Sequence, residues 1–206
     1  RTASDRKGGH LALRNGKYLL RESAQCPKSD TEAFQDVGKH RFFNTNNLWV
    51  RLDLLKPLLD ANGGFLPLPL IKNSKTVDPR RKDSTPVYQL ETAMGSAIEC
   101  FSNAGAVLVP RTRFAPVKTT SDLLALRSDA YQITEDWRIE LAGCQRGEPP
   151  TIDLDPDYYK LVDAMDALIT GGVPSLSQCR KLVIRGPVVL SSGNIFAGKA
   201  TVTNAS

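Results

Sequence analysis

From residue 182 onward the chain repeats itself every six residues, and this period restricts the folds open to it. Ile184, Leu190, Phe196 and Val202 recur at that interval, and Gly186, Ser192 and Gly198 follow the first three of them two positions later. Large apolar and small residues in phase at a six-residue spacing are the pattern of a hexapeptide β-helix. One coil takes about eighteen residues, three such periods, so the tail holds little more than one coil. The rest of the chain has no such repeat and needs a core of its own.

Composition supports that core. The 206 residues are 41% hydrophobic and 24% charged, the balance of a soluble globular protein. At this length a chain buries roughly 70% of its unfolded surface, so neither disulfides nor metals are needed for stability. The greasiest stretch, Phe65-Leu66-Pro67-Leu68-Pro69-Leu70-Ile71, is short and broken by two prolines. It falls well below the ~18 residues of a membrane helix, and no membrane association is expected. Nor is there a charged-then-apolar leader of a secretory signal. A chain opening on Arg1 without methionine is compatible with being part of a longer one.

Lysine and arginine number 27 against 22 acidic residues, a formal charge of +5. The densest basic segment, Lys72 to Lys82, contains no aromatic residue until Tyr88 beyond it. It reads as a solvated loop, and no nucleic-acid partner is expected, because single-strand binding interleaves cations with stacking rings. Cys26, Cys100, Cys144 and Cys179 form no Cys-x-x-Cys pair, and His10 and His40 lie near none of them. No zinc site is expected. Sparse, unpaired cysteines point to free thiols in a reducing compartment, the cytoplasm.

Local patterns outline the elements. Residues 11–22 predict a hairpin turning at Asn15-Gly16. Arg41-Phe42-Phe43 reads as a strand delivering the polar loop 44–47, and Leu48, Leu52, Leu55 and Leu59 as a helix perturbed by Pro57. A second helix is predicted over 89–102, a buried strand over 106–109, and a helix capped within 119–122. Alternating strands and helices over 1–140 argue for an α/β sheet. Gly143 to Pro150 reads as a linker, followed by a helix capped by Asp155 that ends at Gly171-Gly172.

Two polar segments could carry chemistry. Asn44-Thr45-Asn46-Asn47 offers amides that both donate and accept, suited to sugar hydroxyls, yet it also suits a turn and helix cap. Lys118, followed by Thr119, Thr120 and Ser121 at a helix start, suits a phosphate clamp and equally a surface lysine beside a capped helix. Asp153, Asp155 and Asp157 alternate as in a calcium loop but lack its glycine and distal glutamate.

Three longer runs carry a resemblance: Phe43-Asn44-Thr45-Asn46-Asn47-Leu48-Trp49, Leu90-Glu91-Thr92-Ala93, and residues 111–123 from Arg111 to Leu123. With Lys7-Gly8-Gly9, Glu22-Ser23-Ala24-Gln25 and the repetitive tail, they resemble the UTP–glucose-1-phosphate uridylyltransferase (UDP-glucose pyrophosphorylase) family. The resemblance implies an α/β fold: the sugar-side part of a Rossmann-like nucleotidyltransferase domain, then the start of a left-handed β-helix. The parts implied are a catalytic-domain portion at 1–145, a linker and helix at 146–181, and the β-helix start at 182–206. Its reaction is Mg2+-dependent attack of glucose 1-phosphate on the α-phosphate of UTP, giving UDP-glucose and pyrophosphate. Carried over by position, Lys118 is the lysine that contacts the sugar-linked phosphate. Asn44 and Asn46 line the hexose pocket, and Gly9 and Glu22 hold hexose hydroxyls. The family's glycine-rich nucleotide loop, uracil contacts and metal-binding aspartate precede its Lys-Gly-Gly element, and this sequence holds none of them. The chain thus reads as the C-terminal half, unable to make UDP-glucose alone, with no metal ligand of its own. Other readings are a UDP-sugar pyrophosphorylase of broader specificity, a hexapeptide acyltransferase with too few coils, and a self-association module whose tail builds a homo-oligomer.

Overall fold

A computed structural model of the chain describes residues 5–6, 8–81, 83–145 and 147–204. Lys7 of the Lys-Gly-Gly element and Lys82 at the end of the basic segment lie outside the described residues. The elements are of mixed α and β type, and the chain forms two compact units, Arg1–Val107 and Leu108–Ser206.

In the first unit, strands β1 (His10–Arg14) and β2 (Lys17–Arg21) pair antiparallel with His10 opposite Arg21. Asn15 and Gly16 both take left-handed φ, 51° and 76°, the two-residue turn that matches strand twist. Behind this hairpin a short helix, α1 (Thr31–Gln35), buries Phe34 against His10 at 4.6 Å between ring centroids. Residues 41–51 are irregular, and the strand expected at Arg41-Phe42-Phe43 does not form. One backbone bond, from the Asn44 amide to the Gly9 carbonyl, stands in place of a ladder.

Helix α2 (Leu52–Ala61) starts later than the leucine spacing predicts and runs through Pro57. It closes where expected, with Asn62 and Gly64 amides donating to the Leu59 carbonyl. The predicted helix at 89–102 is overturned. Pro86–Thr92 is a strand, β4, paired antiparallel along its length with β3 (Leu70–Thr76), and Met94–Cys100 is a 3-10 segment. Val87 to Thr92 is rich in residues that fit a pleated ribbon, and seven cross-strand pairs outweigh a helical periodicity that Gly95 already weakens. The buried strand expected at 106–109 is also absent, with Val107 89% and Leu108 70% exposed.

The second unit begins as predicted. Helix α3 (Thr120–Arg127) is capped by Thr119, whose hydroxyl accepts from the Asp122 amide while the Asp122 carboxylate accepts from the Thr119 amide. A small hairpin follows, β5 (Tyr131–Ile133) with β6 (Ile139–Leu141). Strands therefore do not alternate with helices around one sheet over 1–140; they form three separate antiparallel hairpins. The helix expected after Asp155 is two, α4 (Pro156–Tyr159) and α5 (Val162–Ala167), interrupted by extended backbone at Leu161. Just before the break, the Tyr159 hydroxyl donates to the Val188 carbonyl (2.5 Å) and accepts from the Val188 amide (3.0 Å), tying α4 to the tail.

The tail follows its period. Strands β7 (Thr151–Asp153), β8 (Ser175–Arg185) and β9 (Ile195–Thr203) form a parallel sheet in that order. Leu182 pairs with Ala200 and Ile184 with Val202, partners eighteen positions apart, or three six-residue periods. Leu182, Ile184 and Leu190 are fully buried in the unit's core with Leu124, Met165 and Leu176. At Gly186 the chain turns with φ +75°, and a Cβ there would collide with the Asn204 backbone carbonyl.

Asp129 anchors the start of β8: its carboxylate accepts from the Ser175 hydroxyl (2.5 Å) and the amides of Leu176 (2.7 Å) and Ser177 (2.8 Å). Partial burial alone would raise its pKa, but these hydrogen bonds outweigh that and hold it below the ordinary carboxylate value. A depressed folded-state pKa adds stability that is present above the unfolded value of about 3.9 and lost as pH falls through the folded one. Asp129→Asn is expected to lower stability by about 1–2 kcal/mol at neutral pH. Thermal melts between pH 3 and 6 should show a gap between wild type and variant that closes on the acid side; a constant gap would refute the assignment.

Candidate functional site

Strand pairing places Gly9 and Glu22 side by side. Gly9 precedes β1, Glu22 follows β2, and the His10–Arg21 pair puts both at the open end of the hairpin. They meet closely: a Cβ on Gly9 would lie 2.6 Å from Glu22 Oε2 and 2.8 Å from Oε1. The Glu22 carboxylate thus lies directly over the Gly9 Cα, where only hydrogen leaves it room. The Gly9 carbonyl accepts from the Asn44 amide at 2.6 Å. Asn44 Oδ1 in turn accepts from the Asn46 amide (3.2 Å), a local turn that holds Asn46 at φ 58°. Glu22, Gly9, Asn44 and Asn46 therefore form one continuous polar cluster, although they are spread over 38 positions of the sequence.

Behind the cluster, Arg21 Nη1 lies 3.2 Å from His10 Nε2. An arginine only donates, so Nε2 is the acceptor in this contact. His40 stacks on the same ring, centroids 4.0 Å apart. The two histidines are thus absorbed into the packing behind the hairpin. Two hollows of this unit lie beside the cluster without enclosing it. One of about 340 Å³ lies at Val37, Gly38, Arg41 and Phe42, and one of about 170 Å³ touches the cluster at Glu22 alone.

The sequence reading missed one contributor. Gly95, in the 3-10 segment, lies against Leu20 and the carboxamides of Asn44 and Asn46. It was hidden because Leu90, Met94, Ala97 and Ile98 read as a helical stripe around it.

Lys118 stands in the second unit, exposed, just before α3. Its amide (3.0 Å) and that of Thr119 (2.9 Å) both donate to Asp122 Oδ2. The Asp122 carboxylate thus holds the turn that leads into α3, and the Lys118 ammonium is left exposed beside it. It has no ion-pair partner among the described residues. Among those residues, no three His, Cys, Asp or Glu side chains converge to hold a metal ion, and no helix is long and apolar enough to cross a membrane.

A family model for UTP–glucose-1-phosphate uridylyltransferase matches residues 1–196. The chain belongs to that family. The potato (Solanum tuberosum) uridylyltransferase is 39% identical over 98% of this chain, and the yeast (Saccharomyces cerevisiae) one is 38% identical over 97%. Among solved structures, the UDP-glucose pyrophosphorylase of Leishmania major superposes with a TM-score of 0.85 at 51% identity over 98% of the chain. A UDP-glucose phosphorylase of Trypanosoma brucei gives 0.86 at 49% over the whole chain. The match covers 41% of the potato protein, 37% of the yeast one and 45% and 49% of the two structures. The uridylyltransferase-family chain thus spans less than half the length of these relatives, and both the Gly9–Asn46 cluster and Lys118 lie inside the matched region.

Proposed function

We propose that this chain supplies the hexose and sugar-phosphate side of an enzyme that transfers the uridylyl group of UTP to glucose 1-phosphate, giving UDP-glucose and pyrophosphate. The observation that carries this reading is the Glu22–Gly9–Asn44–Asn46 cluster. A carboxylate held over a side-chain-free Cα can accept two neighbouring hydroxyls at once, and the adjacent carboxamides both donate and accept. The related Leishmania major enzyme has been crystallised in complex with UDP-glucose. Lys118 would meet the phosphate carried by the sugar, where a fixed ammonium favours charge shifting between phosphates.

The finer architecture belongs to the same proposal: a Rossmann-like catalytic domain whose sugar side is this chain, followed by a left-handed β-helix, which the eighteen-residue parallel register supports. Mg2+ would supply charge neutralisation on the phosphates in the intact enzyme; no set of described residues here fits it, and the chain's own part is to bind and orient the sugar phosphate. Free thiols at Cys26, Cys100 and Cys179 support a cytoplasmic setting. A homo-oligomer built through the repetitive tail belongs to the same proposal.

Pyrophosphate release tests the reading. The intact enzyme should release pyrophosphate from UTP only when glucose 1-phosphate is added, and the 206-residue chain by itself should release none. Turnover by the isolated chain would refute the division of labour. Equal rates with galactose 1-phosphate would favour the broader UDP-sugar pyrophosphorylase.

A further inference from the structure

We infer that Gly95 is a positioning residue of the hexose site, setting the two asparagine carboxamides against the strand that ends in Glu22. The inference rests on the function proposed above and adds to it a residue outside the polar cluster. The 3-10 segment Met94–Cys100 packs against β2 and grips it at two places. The carboxylate of Glu99 accepts from the Leu20 amide at 3.1 Å. At Gly95, a Cβ would come within 2.5 Å of Leu20 Cδ2, 3.2 Å of Asn44 Nδ2 and 3.4 Å of Asn46 Oδ1.

One hydrogen-only Cα therefore stands between the side chain two residues before Glu22 and both carboxamides. Leu20 is only 4% exposed, so its methyl cannot swing into solvent to make room. The backbone does not explain the glycine. Gly95 is not among the residues with left-handed φ, so alanine could adopt its conformation without strain. What the position requires is space, and the groups that define the space are the carboxamides assigned to the hexose and the strand that delivers Glu22. An added methyl must push the segment off β2, move the carboxamides, or both. Either displacement spoils hydroxyl contacts while leaving the UTP side untouched, since a misplacement of this order weakens binding steeply.

The test is a kinetic split in the intact enzyme. Gly95→Ala should raise KM for glucose 1-phosphate tenfold or more while KM for UTP stays within twofold and Tm stays within a few degrees. Should that variant fail to accumulate, pairing it with Leu20→Val removes the severest contact and leaves those to Asn44 and Asn46; the same split should then appear at about threefold or more. A glucose 1-phosphate KM within twofold of wild type in a folded variant overturns the inference. So does a parallel rise in both KM values with a large fall in Tm, because it marks general loss of packing. A wild-type enzyme inert toward glucose 1-phosphate fails the functional reading first and this inference with it. A competent wild type with an unaffected variant fails the inference alone.

Discussion

Lys118→Ala in the intact enzyme is expected to lower the rate of UDP-glucose formation by 10²-fold or more, about 3 kcal/mol of transition-state stabilisation. The size follows from what the side chain does not do in the fold. Lys118 is exposed, and its ammonium enters no ion pair among the described residues. The turn around it is held by its backbone amide and that of Thr119 on Asp122, neither of which alanine disturbs. The loss should therefore appear in activity and not in Tm. Lys118→Arg should recover only part of it, because a planar guanidinium places its charge differently from a compact ammonium. Steady-state rates beside a thermal melt suffice. A variant within threefold of wild type would make Lys118 an ordinary surface lysine next to a capped helix.

Gly9→Ala should be nearly as damaging on the other substrate contact. The new methyl would lie 2.6–2.8 Å from three atoms of the Glu22 carboxyl group, so the carboxylate must rotate away from its place over Gly9. Gly9 is not left-handed, so the effect is steric and confined to the cluster. KM for glucose 1-phosphate is expected to rise tenfold or more, at least about 1.4 kcal/mol, with KM for UTP unchanged. Normal affinity for the sugar phosphate would show that Glu22 does not hold the hexose from its observed position. Glu22→Gln separates charge from shape: it keeps the acceptor but loses the carboxylate, so it should weaken binding less than Gly9→Ala if displacement is the main cause.

Where local chemistry decides conformation, the residues announced the structure. Asn15-Gly16 can hardly do other than turn a hairpin, Thr119 with Asp122 satisfies the first amides of α3, and Gly63-Gly64 ends α2. The failures share a cause. Residues 89–102 carry a helical stripe, yet cross-strand partners from 70–73 claim its first four residues, Gln89 to Thr92. Residues 106–109 are apolar enough for a buried strand, yet they take no strand conformation and Val107, Leu108 and Val109 stay exposed. Periodicity reports which residues could share a face; it is silent on which distant segment comes to cover that face.

The site divides in the same way. Lys118, Asn44 and Asn46 stand out by their own side-chain chemistry, whereas Gly9 and Glu22 are nameable only through the family resemblance. That Glu22 lies over Gly9, that Asn44 hangs from the Gly9 carbonyl, and that Gly95 spaces both asparagines are products of the tertiary fold.

The six-residue period of the tail is the feature the sequence determined most fully by itself. It set the burial of Ile184 and Leu190 and the turn at Gly186, and its triple appears as the eighteen-residue register between β8 and β9 from Lys181 onward. A repeat can do this because each strand pairs with its own image one coil away, so the local pattern is also the long-range one. The Glu22–Gly9–Asn44–Asn46 cluster has no such internal copy. Its four residues come from a strand start, a strand end and a loop, and only hairpin pairing with the packing of Gly95 against Leu20 brings them within hydrogen-bonding reach.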